Sequence, residues 1–235
     1  MGQEEWFILI KNKALVISAM VVGVALAVTG CGNKNNGDET KSKAAESFVS
    51  IIKDNKSDVG FHNALSHWGL KLKSGEKFEW TKDTSANDID FAMVIPADPF
   101  IKAGVDVSKI DSKELVYKPA AKEDGMETPN LLVKPYELSD KKQNSNGSED
   151  AFKRLLKVEA VPVTYDGNNK SYILQLAEGY KVAWAENKQE ANNDVIFTIK
   201  AEPLVKAGLD LDKISKEGWV YNKEQNTLTK EFKVN

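Results

Sequence analysis

Between Ile95 and Tyr117 the chain reads IPADPFIKAGVDVSKIDSKELVY, and between Ile199 and Tyr221 it reads IKAEPLVKAGLDLDKISKEGWVY. Matched residues recur without a gap, always 104 positions on: Pro99 and Pro203, Gly104 and Gly208, Asp106 and Asp210, Lys109 and Lys213, Tyr117 and Tyr221. The register continues upstream through Trp80 and Trp184, Gly75 and Gly179, Leu72 and Leu176, Trp68 and Tyr172, and Phe48 and Phe152. Agreement over so long a register marks a repeated folding unit rather than a repeated motif. Downstream, Asn130 to Tyr136 matches Asn226 to Phe232 at a spacing of 96, so the first copy carries eight extra residues, expected as a loop around Lys122 to Thr128. Each copy is roughly 90 residues, long enough to bury a core of its own with a thin margin.

Each copy opens on an amphipathic helix, with Phe48, Ile51 and Ile52 on one face of Ala44 to Asp54 and Phe152, Leu155 and Leu156 on one face of Glu149 to Lys157. Alternating runs about a glycine turn follow, Trp68 to Leu72 with Lys77 to Lys82, and Tyr172 to Leu176 with Tyr180 to Glu186, and read as hairpins. Ile89 to Ile95 and Val195 to Lys200 give a third strand, Glu114 to Pro119 and Trp219 to Asn222 a fourth, Leu131 to Leu138 and Thr227 to Val234 a fifth. Between the third and fourth, Asp98 is placed to cap a short helix, Pro99 fits its first position and Gly104 closes it. Asp106 and Asp210 start a further turn. A helix followed by strands with hairpin-length links predicts an α+β fold, a tandem duplication of a small domain, each with an N-terminal helix and a mostly antiparallel sheet.

Upstream of the repeats, Lys11-Asn12-Lys13 precedes Ala14 to Val28, an uncharged apolar run that ends in Val28-Thr29-Gly30-Cys31. A basic start, an apolar core, a small residue before cysteine and a polar tract after it resemble the signal peptide and lipobox of bacterial lipoproteins. That resemblance implies cleavage before Cys31, lipidation of its thiol and a lipid-anchored chain at the extracytoplasmic face of the cell membrane. The other reading of the segment is an uncleaved transmembrane helix over Ile8 to Gly30, which Lys11 and Lys13 would interrupt. Glu4 and Glu5 are foreign to a basic signal region, which suggests a translation start nearer Leu9 or Ile10. Cys31 is the one cysteine of the chain, so no internal disulfide staples the fold. The expected organisation is a signal at 1–30, the lipidated cysteine and a polar tether at 31–43, a first repeat domain at 44–138, a linker at 139–147 and a second repeat domain at 148–235.

Little points to catalysis. The two histidines, His62 and His67, lie in the first copy and align with Asp166 and Ser171, which excludes a duplicated histidine site. No nucleophile elbow, phosphate-cradling glycine loop or His-Glu-x-x-His is present. The five-residue spacing of His62 and His67, even with Asp58 or Glu76 nearby, matches no common ligand pattern, so no metal and no cofactor are assigned. Matched carboxylates, Asp98 with Glu202 and Asp106 with Asp210, suit caps and turns.

Binding is the better-supported class. Trp80 and Trp184 read as core, whereas Trp68, beside His67, is the aromatic expected at a contact surface. Lys102, Lys109, Lys206 and Lys213 give each copy a basic pair beside the Asp turn, suited to a polar or anionic partner. A net charge of −3 with interspersed signs excludes a nucleic-acid footprint. The resulting expectation is a non-enzymatic, surface-anchored lipoprotein that binds an extracytoplasmic ligand, protein or wall partner through two homologous domains. A solute-capturing lipoprotein of a transporter is the alternative, and an envelope enzyme the third reading.

Overall fold

The computed structural model describes residues 34–54, 58–62, 66–82, 89–123, 126–137, 147–158, 160–187 and 194–233. The expected export signal, Cys31 and positions 139–146 of the expected linker lie outside the described residues. The first half runs α1 (Lys34–Asp54), β1 (Val59–His62), β2 (His67–Lys71), β3 (Lys77–Thr81), β4 (Phe91–Pro96), α2 (Asp98–Lys102), a 3-10 turn (Val107–Lys109), β5 (Val116–Lys118), β6 (Ala121–Glu123), β7 (Met126–Thr128) and β8 (Leu131–Tyr136). The second runs α3 (Ser148–Lys157), β9 (Val163–Asp166), β10 (Ser171–Ala177), β11 (Tyr180–Ala185), β12 (Val195–Lys200), α4 (Glu202–Lys206), α5 (Leu211–Ser215), β13 (Val220–Asn222) and β14 (Thr227–Phe232).

The fold is α+β and its sheets are antiparallel, as the hairpin-length links require. One six-stranded sheet has the order β1-β2-β3-β4-β8-β5, and the other, read from β9, has the order β9-β10-β11-β12-β14-β13. These are the same order once the β6-β7 hairpin is set aside. In each sheet the alternation puts one row of mostly aromatic residues on a single face. Phe61, Trp68, Trp80, Phe91 and Tyr136 are successive cross-strand partners, as are Tyr165, Tyr172, Trp184, Val195 and Phe232. The buried parts of both rows meet α1 and α3 in one continuous apolar core. Trp80, Trp184, Phe48 and Phe152 are each fully buried in it.

Several local expectations are amended. The eight-residue insertion is not a plain loop: Ala121 pairs with Thr128 and Lys122 with Glu127, making the small β6-β7 hairpin. β1 and β9 were not expected, because edge strands as short as VGFH and VTYD carry too little apolar alternation to be read. Helix α1 begins at Lys34, within the polar stretch expected as tether. Its first turns lack an apolar stripe, yet Lys43 pairs with Glu39 at 2.7 Å and Lys41 reaches the Val158 carbonyl at 2.6 Å, tying this stretch to the second half. Asp98 is the first helical residue rather than the cap, and its carboxylate accepts from Asn130 Nδ2 at 2.7 Å. Among the described residues no helix is long and apolar enough to cross a membrane.

Candidate functional site

The joint between the two halves is built from the residues that recur. Phe48 of α1 stacks on Phe152 of α3 with centroids 4.0 Å apart. The indole of Trp80 donates to the Ser148 carbonyl at 2.9 Å, and that of Trp184 donates to the Ala44 carbonyl at 3.0 Å. Each sheet thus grips the helix of the opposite half through its matched tryptophan. A second reciprocal contact lies where α2 and α4 end. Asp106 N–H donates to the Ala207 carbonyl and Asp210 N–H to the Ala103 carbonyl, both at 2.8 Å, which brings Gly104 and Gly208 back to back.

Polar groups buried at the same joint are paired across it. Lys230 Nζ lies 2.7 Å from Glu76 Oε1, with side chains only 12% and 3% exposed. At the matching place in the first half, Lys134 Nζ sits 4.5 Å from the centre of the Tyr180 ring and donates to the Lys113 carbonyl at 3.2 Å. Burial holds the Lys134 ammonium below the ordinary lysine value, outweighing the opposing attraction of Glu114. Burial, with Glu114 beside it, pushes the Tyr180 phenol upward. Lys200 donates to Glu114 Oε1 at 3.3 Å across the joint, and this bond raises the lysine.

The expected site residues divide. Lys109 pairs with Asp106 at 3.1 Å and Lys213 with Asp210 at 3.2 Å. Each aspartate also caps its turn: Asp106 accepts from Ser108 N–H, and Asp210 from Asp212 and Lys213 N–H. Hydrogen bonds hold both carboxyls below the usual range: the Ser108 hydroxyl, donating to Asp106 at 2.6 Å, is the leading cause there, and the Lys213 backbone N–H is the leading cause at Asp210. These two lysines are therefore engaged within their own turns. Lys206 pairs with Glu202 one helical turn back at 2.6 Å, and Lys102 is exposed at the end of α2. Trp68 is half-buried against the core with its ring 4.7 Å from that of Phe61, and His67 is buried on the opposite face of the same strand.

Two features escaped sequence reasoning. The exposed large apolar residues include the matched pairs Ile101 with Val205 and Phe61 with Tyr165. Their 104-residue spacing was legible, but exposure was not, since an apolar residue in a short helix reads as core. Ile101 and Val205, 37% and 42% exposed, each stand three residues before the glycine of the joint and beside Lys102 or Lys206. Gly104 and Gly208, which meet, are exposed as well. The second feature is the tyrosine–asparagine tie: Tyr117 donates to Asn130 Oδ1 at 2.8 Å and Tyr221 to Asn226 Oδ1 at 3.2 Å, which gives those recurring tyrosines a structural task. No family model, curated protein or solved structure matches the chain.

Proposed function

We propose that the chain is a tandem duplication whose units form one body about an approximate twofold axis. It is tethered through the Cys31 lipid at the outer face of a bacterial membrane, and it binds a protein partner there without catalysis. The observation that carries the binding surface is the exposure of Ile101 and Val205 at matched positions, 37% and 42%, on either side of the Gly104–Gly208 contact. Branched side chains left in water beside Lys102 and Lys206 form a small apolar centre with a basic rim, the make-up of a protein-docking surface. Lys109, Lys213 and Lys206 are already paired with Asp106, Asp210 and Glu202, so the basic character of the rim rests most on Lys102.

A surface arranged about such an axis suits a partner that is itself twofold or that presents a repeated acidic segment. The lipid tether would hold the surface near a membrane complex and raise its effective concentration there. The matched Trp80 and Trp184 are enclosed, so a stacking platform for a sugar would have to use other rings.

The test is a photo-crosslinking residue at position 101 or 205 in the full chain, expressed in its own host. A discrete protein adduct is expected at both positions, lost in the Ile101→Glu/Val205→Glu variant while the circular dichroism is kept. An adduct spread evenly over envelope proteins, or one unaffected by the double substitution, would overturn the surface. The anchor is tested separately by Cys31→Ala, which should leave an unprocessed, unlipidated precursor.

A further inference from the structure

The two sheets end on matched edges. β1 (VGFH) is the outermost strand of the first and β9 (VTYD) of the second, and they lie 104 positions apart residue for residue. Among the described residues each pairs with one neighbouring strand, which leaves the other side of its backbone open. Sheet edges are commonly blunted by lysine or proline, and neither strand carries one.

Both edges also carry an exposed ring on the face that bears Trp80 or Trp184. Phe61 is 37% exposed with its centroid 4.7 Å from that of Trp68, and Tyr165 is 43% exposed with its centroid 5.1 Å from that of Tyr172. The charges beside these rings are of opposite sign. Lys82 Nζ lies 5.7 Å from the centre of the Phe61 ring. Its counterpart 104 positions on is Glu186, whose Oε2 accepts from the Tyr165 hydroxyl at 2.5 Å. That hydrogen bond, more than anything else, pushes the Tyr165 phenol up to about 12, and Asp166 adds to the effect. Lys43 is also close to Glu186 but is paired with Glu39 at 2.7 Å.

The backbone does not account for the reversal of charge. Lys82 N–H donates to the Ser66 carbonyl and Glu186 N–H to the Lys170 carbonyl, both at 2.8 Å, so either residue serves the same place in the strand pair.

We propose that the chain associates with itself head to tail, β1 of one copy adding antiparallel to β9 of the next. With Phe61 and Tyr165 as direct cross-strand partners, both rings fall on one face. The row Trp80, Trp68, Phe61 then continues into Tyr165, Tyr172 and Trp184 of the neighbouring copy. Lys82 and Glu186 flank that join with opposite charge, whereas β1 against β1, or β9 against β9, would bring like charges together. A second copy therefore supplies an edge of the right length, ring and charge. Because the contact joins two different surfaces, each added copy presents a fresh edge and assembly continues past the dimer. The inference does not depend on the docking surface at Ile101 and Val205.

The experiment follows the full chain in detergent by sedimentation velocity over a range of concentrations at low salt, where surface charges are least screened. Reversible association past the dimer is expected. Lys82→Glu and Glu186→Lys should each weaken it about tenfold, since each sets like charges across the join. Mixing the two variants in equal amounts should restore association, because each then meets the opposite charge on the other. Phe61→Ser should weaken it as well. A chain that stays monomeric at every concentration would overturn the proposal. So would association that the single charge reversals leave unchanged, or that mixing them fails to restore. Far-ultraviolet circular dichroism of each variant separates lost association from lost folding.

Discussion

Phe48 and Phe152 stack with planes 26° apart, and each ring also packs edge-on against both Trp80 and Trp184. One ring from each half therefore stands between the two tryptophans, and the halves share the apolar burial that stabilises either.

Phe152→Ala should lower stability by about 3–5 kcal/mol, the usual cost of emptying a fully buried aromatic site. Because Phe152 touches Phe78, Trp80 and Phe91 of the first half as well as Trp184 of the second, the loss should not be confined to one half. Urea unfolding followed by tryptophan fluorescence and by far-ultraviolet circular dichroism should give coincident single transitions in wild type and variant. Separate transitions would mean that the halves fold independently.

Gly104 and Gly208 have φ of +100° and +102°, a conformation that suits glycine, and they also meet. A Cβ on Gly104 would lie 3.0 Å from the Gly208 carbonyl oxygen, and one on Gly208 would lie 2.9 Å from that of Gly104. Each Gly→Ala change should cost about 1–3 kcal/mol in backbone strain alone, with the contact adding to it. Gly60→Ala is the control, since a Cβ there has no neighbour within 4 Å. It should shift the urea midpoint little in either direction.

Among the described residues Glu76 and Lys230 form the most enclosed ion pair across the joint, and Ser74 donates a further hydrogen bond to Glu76 at 2.6 Å. Glu76→Gln strands a buried ammonium and should cost about 3–5 kcal/mol. Glu76→Leu/Lys230→Met removes both charges and should recover most of that loss. A double variant no more stable than Glu76→Gln would show that the pair contributes more than its charges.

The helix-then-strands layout and the antiparallel class were legible because alternation and turn glycines are local signals, whereas the place of β8 between β4 and β5 was not. The burial of Trp80 and Trp184 was legible too, as large matched rings in a chain with one cysteine belong in the core. The joint was not legible. The spacing of Gly104 and Gly208 announces that each needs its backbone shape, but only the fold reveals that they touch. Asp106 and Asp210 were readable as turn caps, while their backbone amides, which cross to Ala207 and Ala103, have no sequence signature. His62 and His67 show the same limit: five residues apart they fit no ligand spacing, yet one hairpin makes them direct neighbours. Matched Lys134 and Lys230 looked equivalent, and their surroundings differ because Tyr180 stands where the first half has Glu76.

That last difference gives a pH-dependent prediction. Lys230 has a carboxylate at 2.7 Å, whereas Lys134 faces the Tyr180 ring and a backbone carbonyl, and burial lowers its ammonium from the ordinary 10.5. Between the lowered folded value and the ordinary unfolded one, the unfolded chain binds the extra proton, so this group's contribution to stability rises with pH across that window. Below the window the buried charge carries its full cost. Lys134→Met keeps the length of the side chain without the charge and should stabilise the protein at pH 7 by about 1 kcal/mol. The gain should shrink as the pH approaches 10.5, where the wild-type lysine is also losing its proton. Tyr180 is present in both proteins, so its own titration largely cancels in the difference. Urea unfolding of wild type and variant at pH 7 and pH 10 measures it. A difference that stays constant between the two would mean that desolvation of the Lys134 ammonium does not limit stability at the joint.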